Sequence, residues 1–93
     1  PNGHHYLERV YIMKRVQSNI VNIGFTIMNA ESKDKKVRPA GVMIDQTLVN
    51  GRSEGVSVRL INGTKKSAAV KLDKQALTDL LTAVNEVLAS EEG

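Results

Sequence analysis

From Leu7 to Val16 the chain alternates, with Val10, Ile12 and Val16 on one parity and Arg9, Tyr11, Met13 and Arg15 on the other. That is the period-two signature of a half-buried strand. Gln17-Ser18-Asn19 supplies turn residues, and Ile20 to Met28 repeats the alternation, with Val21, Ile23, Phe25 and Ile27 on one face and Asn22, Thr26 and Met28 on the other. The two runs predict a hairpin. Gly41 to Val49 predicts a third strand with Val42 and Ile44 inward and Met43 and Asp45 outward, ended by Asn50-Gly51-Arg52-Ser53-Glu54-Gly55 as a turn. Val56, Val58 and Leu60 then alternate with Ser57 and Arg59 in a fourth strand. Asn62-Gly63 marks a tight hairpin, because both residues tolerate positive φ. It leads into a fifth strand, Ser67 to Leu72, with Ala68, Val70 and Leu72 inward.

After Leu72 the period changes. Leu77, Leu80, Leu81, Val84, Val87 and Leu88 recur at helical spacing, with Asp73 placed to cap the first turn, which predicts a helix over 73–90. Asn29 to Arg38 is polar and precedes Pro39, as an exposed loop would, and residues 1–6 are expected to form a flexible arm. No fixed-period repeat or low-complexity segment interrupts this order.

The expectation is therefore a single α+β domain over 1–93, with an antiparallel sheet of about five strands across 7–72 and one amphipathic C-terminal helix packed on one face. Such a sheet is about 24 Å wide, whereas a helix covers only about 10 to 12 Å. Either the sheet curls strongly around the helix or a second copy supplies cover. A homo-oligomer, with a dimer favoured, is the expected state.

Hydrophobic residues make up 41% and charged residues 25% of the chain, near globular averages, which argues against wholesale disorder. No apolar run approaches the roughly 18 residues that span a bilayer. Pro1 to Val10 holds no apolar run behind a basic cluster, so no secretory leader is expected. The chain has no cysteine, which removes disulfides and thiolate metal sites and fits an intracellular compartment. With no Trp, the aromatics are Tyr6, Tyr11 and Phe25 alone.

Charge changes the picture more than composition does. Residues 1–72 carry 12 Lys/Arg against 5 Asp/Glu, a net of +7, whereas residues 73–93 set Lys74 against Asp73, Asp79, Glu86, Glu91 and Glu92, a net of −4. With the helix on one sheet face, the open face carries Arg9, Arg15, Arg59 and Lys71, flanked in the loops by Lys33, Lys35, Lys36, Arg38, Arg52, Lys65 and Lys66. A one-sided basic field attracts phosphate by counterion release. Tyr11 shares that parity and is placed to stack a base. The bland alternative is a set of ordinary solubilising charges. Leu7, Met13, Met28 and Met43 make the same face more apolar than solvation requires, as scattered exposed hydrophobes or as a partner surface.

Catalytic signatures are missing. His4 and His5 are adjacent, so on a strand they point to opposite sides and share no metal. Asp45 lacks a second carboxylate and is expected to pair with Arg59 or Arg15 instead of acting as a general acid. Gly63-Thr64-Lys65-Lys66-Ser67 echoes the end of a phosphate-binding loop, but Val58 stands where the first glycine belongs and a strand follows. Asn62-Gly63-Thr64 matches a glycosylation acceptor and is better explained as hairpin chemistry. No enzyme activity, cofactor or metal is expected.

Strands followed by one C-terminal helix, a basic sheet, and the passage from Ser67 to Leu88 with Lys71-Leu72, Asp73 and a leucine-lined helix resemble the Whirly, Pur and transcriptional-coactivator group of single-stranded nucleic-acid binders. The resemblance is architectural and covers mainly residues 40–90. It implies a curved antiparallel sheet whose surface binds single-stranded DNA or RNA, and a helix that helps to make dimers. Two functions are thus in view. The first is a non-enzymatic nucleic-acid-binding module using Arg9, Tyr11, Arg15, Lys35, Lys36, Arg38, Arg52, Arg59, Lys65, Lys66 and Lys71. The alternative is a small assembly subunit that self-associates or pairs with a protein through the Met-bearing face or an edge strand.

Overall fold

The computed structural model describes residues 4–7, 10–30, 36 and 38–92. Its elements are β1 (His4–Leu7), β2 (Val10–Gln17), β3 (Ile20–Met28), β4 (Ala40–Val49), β5 (Arg52–Asn62), β6 (Lys65–Lys66), β7 (Val70–Leu72) and α1 (Lys74–Glu92). Strands β1 to β5 form an antiparallel meander, and both β6 and β7 pair with β5, β6 at its C-terminal end and β7 at its middle. These two short strands act as halves of a sixth. The fold is α+β, an antiparallel sheet followed by one C-terminal helix. Residues 4–6, expected in a flexible arm, instead belong to β1, which pairs with β2 from His4↔Met13 to Leu7↔Val10.

Turn chemistry explains how the meander closes. Asn50 and Gly51 both have positive φ, 52° and 81°, the backbone that a type I′ hairpin requires. The turn after β4 is therefore two residues long, and Arg52 to Gly55, expected in it, join β5. At the same end Ser18 adopts φ 59° between β2 and β3. Asn19 ties the two turns together, its carbonyl accepting from Asn50 N–H at 2.9 Å and its side-chain amide donating to Asn50 Oδ1 at 3.0 Å. The next hairpin is shifted by one residue from expectation: Asn62 ends β5, and Gly63, at φ 68°, and Thr64 make the turn.

Two bulges adjust the register. Pairing passes from Thr47↔Gly55 to Leu48↔Ser53, which leaves Glu54 as the extra residue on β5. Between β6 and β7 the register slips by one residue, from Ile61↔Lys66 to Val58↔Val70. Ser67 bridges that slip. Its N–H donates to Leu60 O at 2.9 Å, and its hydroxyl stands in for a backbone carbonyl by accepting Leu60 N–H at 2.8 Å. The predicted fifth strand, Ser67 to Leu72, is for this reason broken in two.

Directly paired residues share a sheet face, so the registers sort the side chains. Phe25 pairs with Ile12 and Ile44, Ile44 with Val58, and Val58 with Val70. Around this row lie Val10, Val16, Val21, Ile23, Ile27, Val42, Leu48, Val56, Leu60 and Leu72, with Lys14 and Gln46 the polar exceptions among the paired central positions. This is the apolar face. Val42 and Ile44 lie on it and Met43 and Asp45 on the other, as the alternation of the third strand predicts.

The helix begins where predicted, capped by Asp73, whose carboxylate accepts Ala76 N–H at 2.8 Å. Its placement differs from the expected packing on one face. Lys74 and Leu77 line a crevice of about 650 Å³ with Val56, Leu72, Gln46 and Ser53, on the apolar side of β4, β5 and β7. Beyond this first turn the helix leaves the sheet, and Leu81, Val87 and Leu88 are 63%, 59% and 51% exposed. The physical reason is the connection, a single residue between Leu72 and Lys74 that is also the cap. It has no spare length to turn the helix back across its own sheet. Among the described residues no side chain is fully buried.

Candidate functional site

The face opposite the apolar one is organised in cross-strand rows. Tyr11, Thr26, Met43 and Arg59 form one row, Met13, Gly24, Asp45, Ser57 and Lys71 the next, and Arg15, Asn22, Thr47 and Gly55 a third. Neighbouring strands are about 4.8 Å apart and neighbouring rows about 7 Å. Arg15 on β2 and Arg59 on β5 thus start from opposite corners of a patch three rows deep. Both nonetheless line a single shallow trough of about 360 Å³, with Met13, Asn22, Gly24, Asp45 and Ser57.

Glycine makes the floor of this trough. A Cβ at Gly24 would come within 2.8 Å of Asp45 Oδ1, so a larger residue there would displace the carboxylate from its present position. At the rim, a Cβ on Gly55 would fall 2.8 Å from Lys71 Cε, and the lysine stem runs over the bulge in the space so left. Lys71, Asp45, Thr47 and Ser57 line a second, adjoining depression with Glu54 and Gly55. Thr47 donates its hydroxyl to Asn22 Oδ1 at 2.9 Å, which fixes the polar floor between β3 and β4. The expected ion pair is not formed: among the described residues no ion pair joins Asp45 to Arg15 or Arg59. Arg59 Nε is enclosed and lacks a hydrogen-bond partner. Gly24 lies beside Asp45 in its row and the arginines come from the corners, so the carboxylate stays between them.

The predicted binding residues divide as follows. Tyr11, Arg15, Arg52, Arg59, Lys66 and Lys71 share the polar face by register. Arg38 lies over the Gly63-Thr64 turn, since a Cβ on Gly63 would sit 3.2 Å from Arg38 Cδ, and so adjoins the Lys66 end of the sheet. Lys36 is exposed in the connection before β4. Lys65 pairs with Asn62 and belongs to the opposite side, a correction that follows from the tight turn putting consecutive lysines on alternate faces. Arg9 and Lys35 lie outside the described residues. The floor residues Gly24, Asn22, Thr47 and Ser57 were missed because their role appears only when three strand registers are combined.

No family model, curated protein or solved structure matches this chain. What the site does rests on its own geometry. Among the described residues no group of three or more His, Asp or Glu side chains is placed to hold a metal ion. Among the described residues no helix is long and apolar enough to cross a membrane.

Proposed function

We propose that the chain is a non-enzymatic module that binds single-stranded DNA or RNA across its polar sheet face. The observation that carries this is the sorting of charge: Arg15, Arg52, Arg59, Lys66 and Lys71 share one face, with Asp45 at its centre and Glu54 at the bulge, while the other face is mostly apolar. Phosphates are drawn to the arginines and lysines by counterion release. The carboxylate repels phosphate, so what sits over Asp45 is a base whose amino or imino group donates to it. Tyr11, 40% exposed at one end of its row, offers a ring on which a neighbouring base stacks. A broad sheet suits splayed bases, whereas a duplex hides them in its grooves. Single-strand preference is also what the architectural resemblance implies.

The test is fluorescence anisotropy with labelled single-stranded DNA, single-stranded RNA and duplex, each titrated at low and moderate salt. Salt-sensitive binding that ranks either single strand above duplex is expected. Absence of binding to all three at low salt would remove the proposal. The alternative of a Met-bearing protein surface is less favoured, since Met13 lines the trough and Met43 pairs with Arg59 beside it, whereas the larger apolar surface lies on the other face.

A further inference from the structure

We propose that the uncovered apolar face is covered by the helix of a second copy of this chain, the two copies exchanging α1 reciprocally in a twofold dimer. The accessible surface of the chain is 7445 Å². A folded monomer of 10.2 kDa is expected to expose about 5300 Å², so roughly 2100 Å² of each chain lacks the cover a globular monomer provides. Two such chains together have about 4200 Å² to bury, within the range of obligate homodimer interfaces. The radius of gyration agrees, at 15.0 Å against about 12 Å for a compact domain of this length.

Exposed apolar residues lie in two complementary places. On the sheet, Val16, Leu60 and Val70 are 61%, 62% and 59% exposed, and on the helix the stripe from Leu80 to Leu88 is bare. A helix of 19 residues is about 28 Å long, close to the roughly 29 Å width of six strands. The net +7 of residues 1–72 and −4 of residues 73–93 add attraction between sheet and helix. What decides between self and non-self cover is the one-residue hinge. Asp73 both ends the strand and caps the helix, so the helix points away from its own sheet, and a short hinge that blocks the closed form is the usual route to exchange between copies. In this dimer both polar faces stay free.

The experiment is sedimentation equilibrium on the full chain at micromolar concentration, on the wild type and on a variant with Gly-Ser-Gly-Ser inserted between Leu72 and Asp73, which lets the helix fold back. A wild-type mass of twice 10.2 kDa, falling to 10.2 kDa in the insertion variant, is expected. A folded wild type at 10.2 kDa would overturn the proposal and leave the face to the chain's own helix or to a different polypeptide. A mass unchanged by the insertion would overturn the exchange. Leu81→Glu keeps the test independent of the insertion. It is expected to raise the dimer dissociation constant about thirtyfold or more, as a central interface residue does, whereas Glu86→Ala on the polar side of the helix leaves it unchanged. Equal effects of the two substitutions would also overturn it.

Discussion

Lys14 and Arg15 are neighbours in sequence and on opposite sides of the sheet, which gives the binding proposal its sharpest test. Lys14 pairs with Ile23 on the apolar face, and Arg15 pairs with Asn22 above the polar trough. If five cations of the polar face each neutralise one phosphate of a single strand, the slope of log K against log salt is about −3.5, and affinity falls about 130-fold between 50 and 200 mM salt. Replacing Arg15 and Arg59 by Ala leaves three, so the slope flattens to about −2.1 and the loss over the same range shrinks to about 20-fold. Arg15→Ala alone leaves four and a slope of about −2.8, whereas Lys14→Ala, which removes the same single charge, leaves the slope near its wild-type value. Fluorescence anisotropy of a labelled single-stranded oligonucleotide at four or five salt concentrations reads these slopes. Equal flattening by Lys14→Ala and Arg15→Ala would show that only net charge matters and would refute a face-specific interface.

Three further substitutions probe the elements that build this face and the hinge behind it. A strand of N3-methylthymine, whose bases carry no N–H donor, is expected to bind more weakly than a cytosine strand, whose N4 amino donates to Asp45, and Asp45→Ala should abolish the difference in the same anisotropy assay. Gly55→Ala places a side chain at φ 154° and against Lys71, and a cost of about 1 to 3 kcal/mol is expected in urea unfolding; a loss below a few tenths would mean that the bulge tolerates any residue. Asp73→Ala removes the cap on Ala76 N–H and should cost about 1 kcal/mol, with weaker helical circular dichroism from the frayed first turn.

Much of the sheet is legible from alternation alone, because one of its faces is continuously apolar. Val42 and Ile44 could be separated from Met43 and Asp45 without any structure, since a register slip in β4 would expose the first pair and bury a carboxylate. Bulges are harder to read. Nothing in Arg52-Ser53-Glu54 announces that the hairpin has already closed at Asn50-Gly51, and the competing Gly55 made a long turn equally consistent with local chemistry. Ser67 is similar: its hydroxyl replaces a carbonyl in the ladder, a contact that depends on Leu60 seven residues earlier. The cations at Arg15, Arg59 and Lys71 could be placed on one face by parity, whereas the trough between them depends on Gly24 facing Asp45 across two strands.

The helix shows where pattern stops being informative. A stripe at Leu77, Leu80, Leu81, Val84, Val87 and Leu88 demands an apolar partner, and the periodicity that reveals it is the same whether the partner is the chain's own sheet or another copy's. The deciding feature is the length of the connection, and that was also in the sequence: Leu72 is the last inward residue of a strand and Asp73 is already the cap. Two strong local preferences placed side by side leave no loop, and without a loop the helix cannot return to its own sheet. The same constraint explains how basic sheet and acidic helix coexist without cancelling at the interface. In the proposed dimer apolar surface on the helix meets apolar surface on the sheet, so the cations on the far side of the sheet would remain in water and keep their attraction for phosphate.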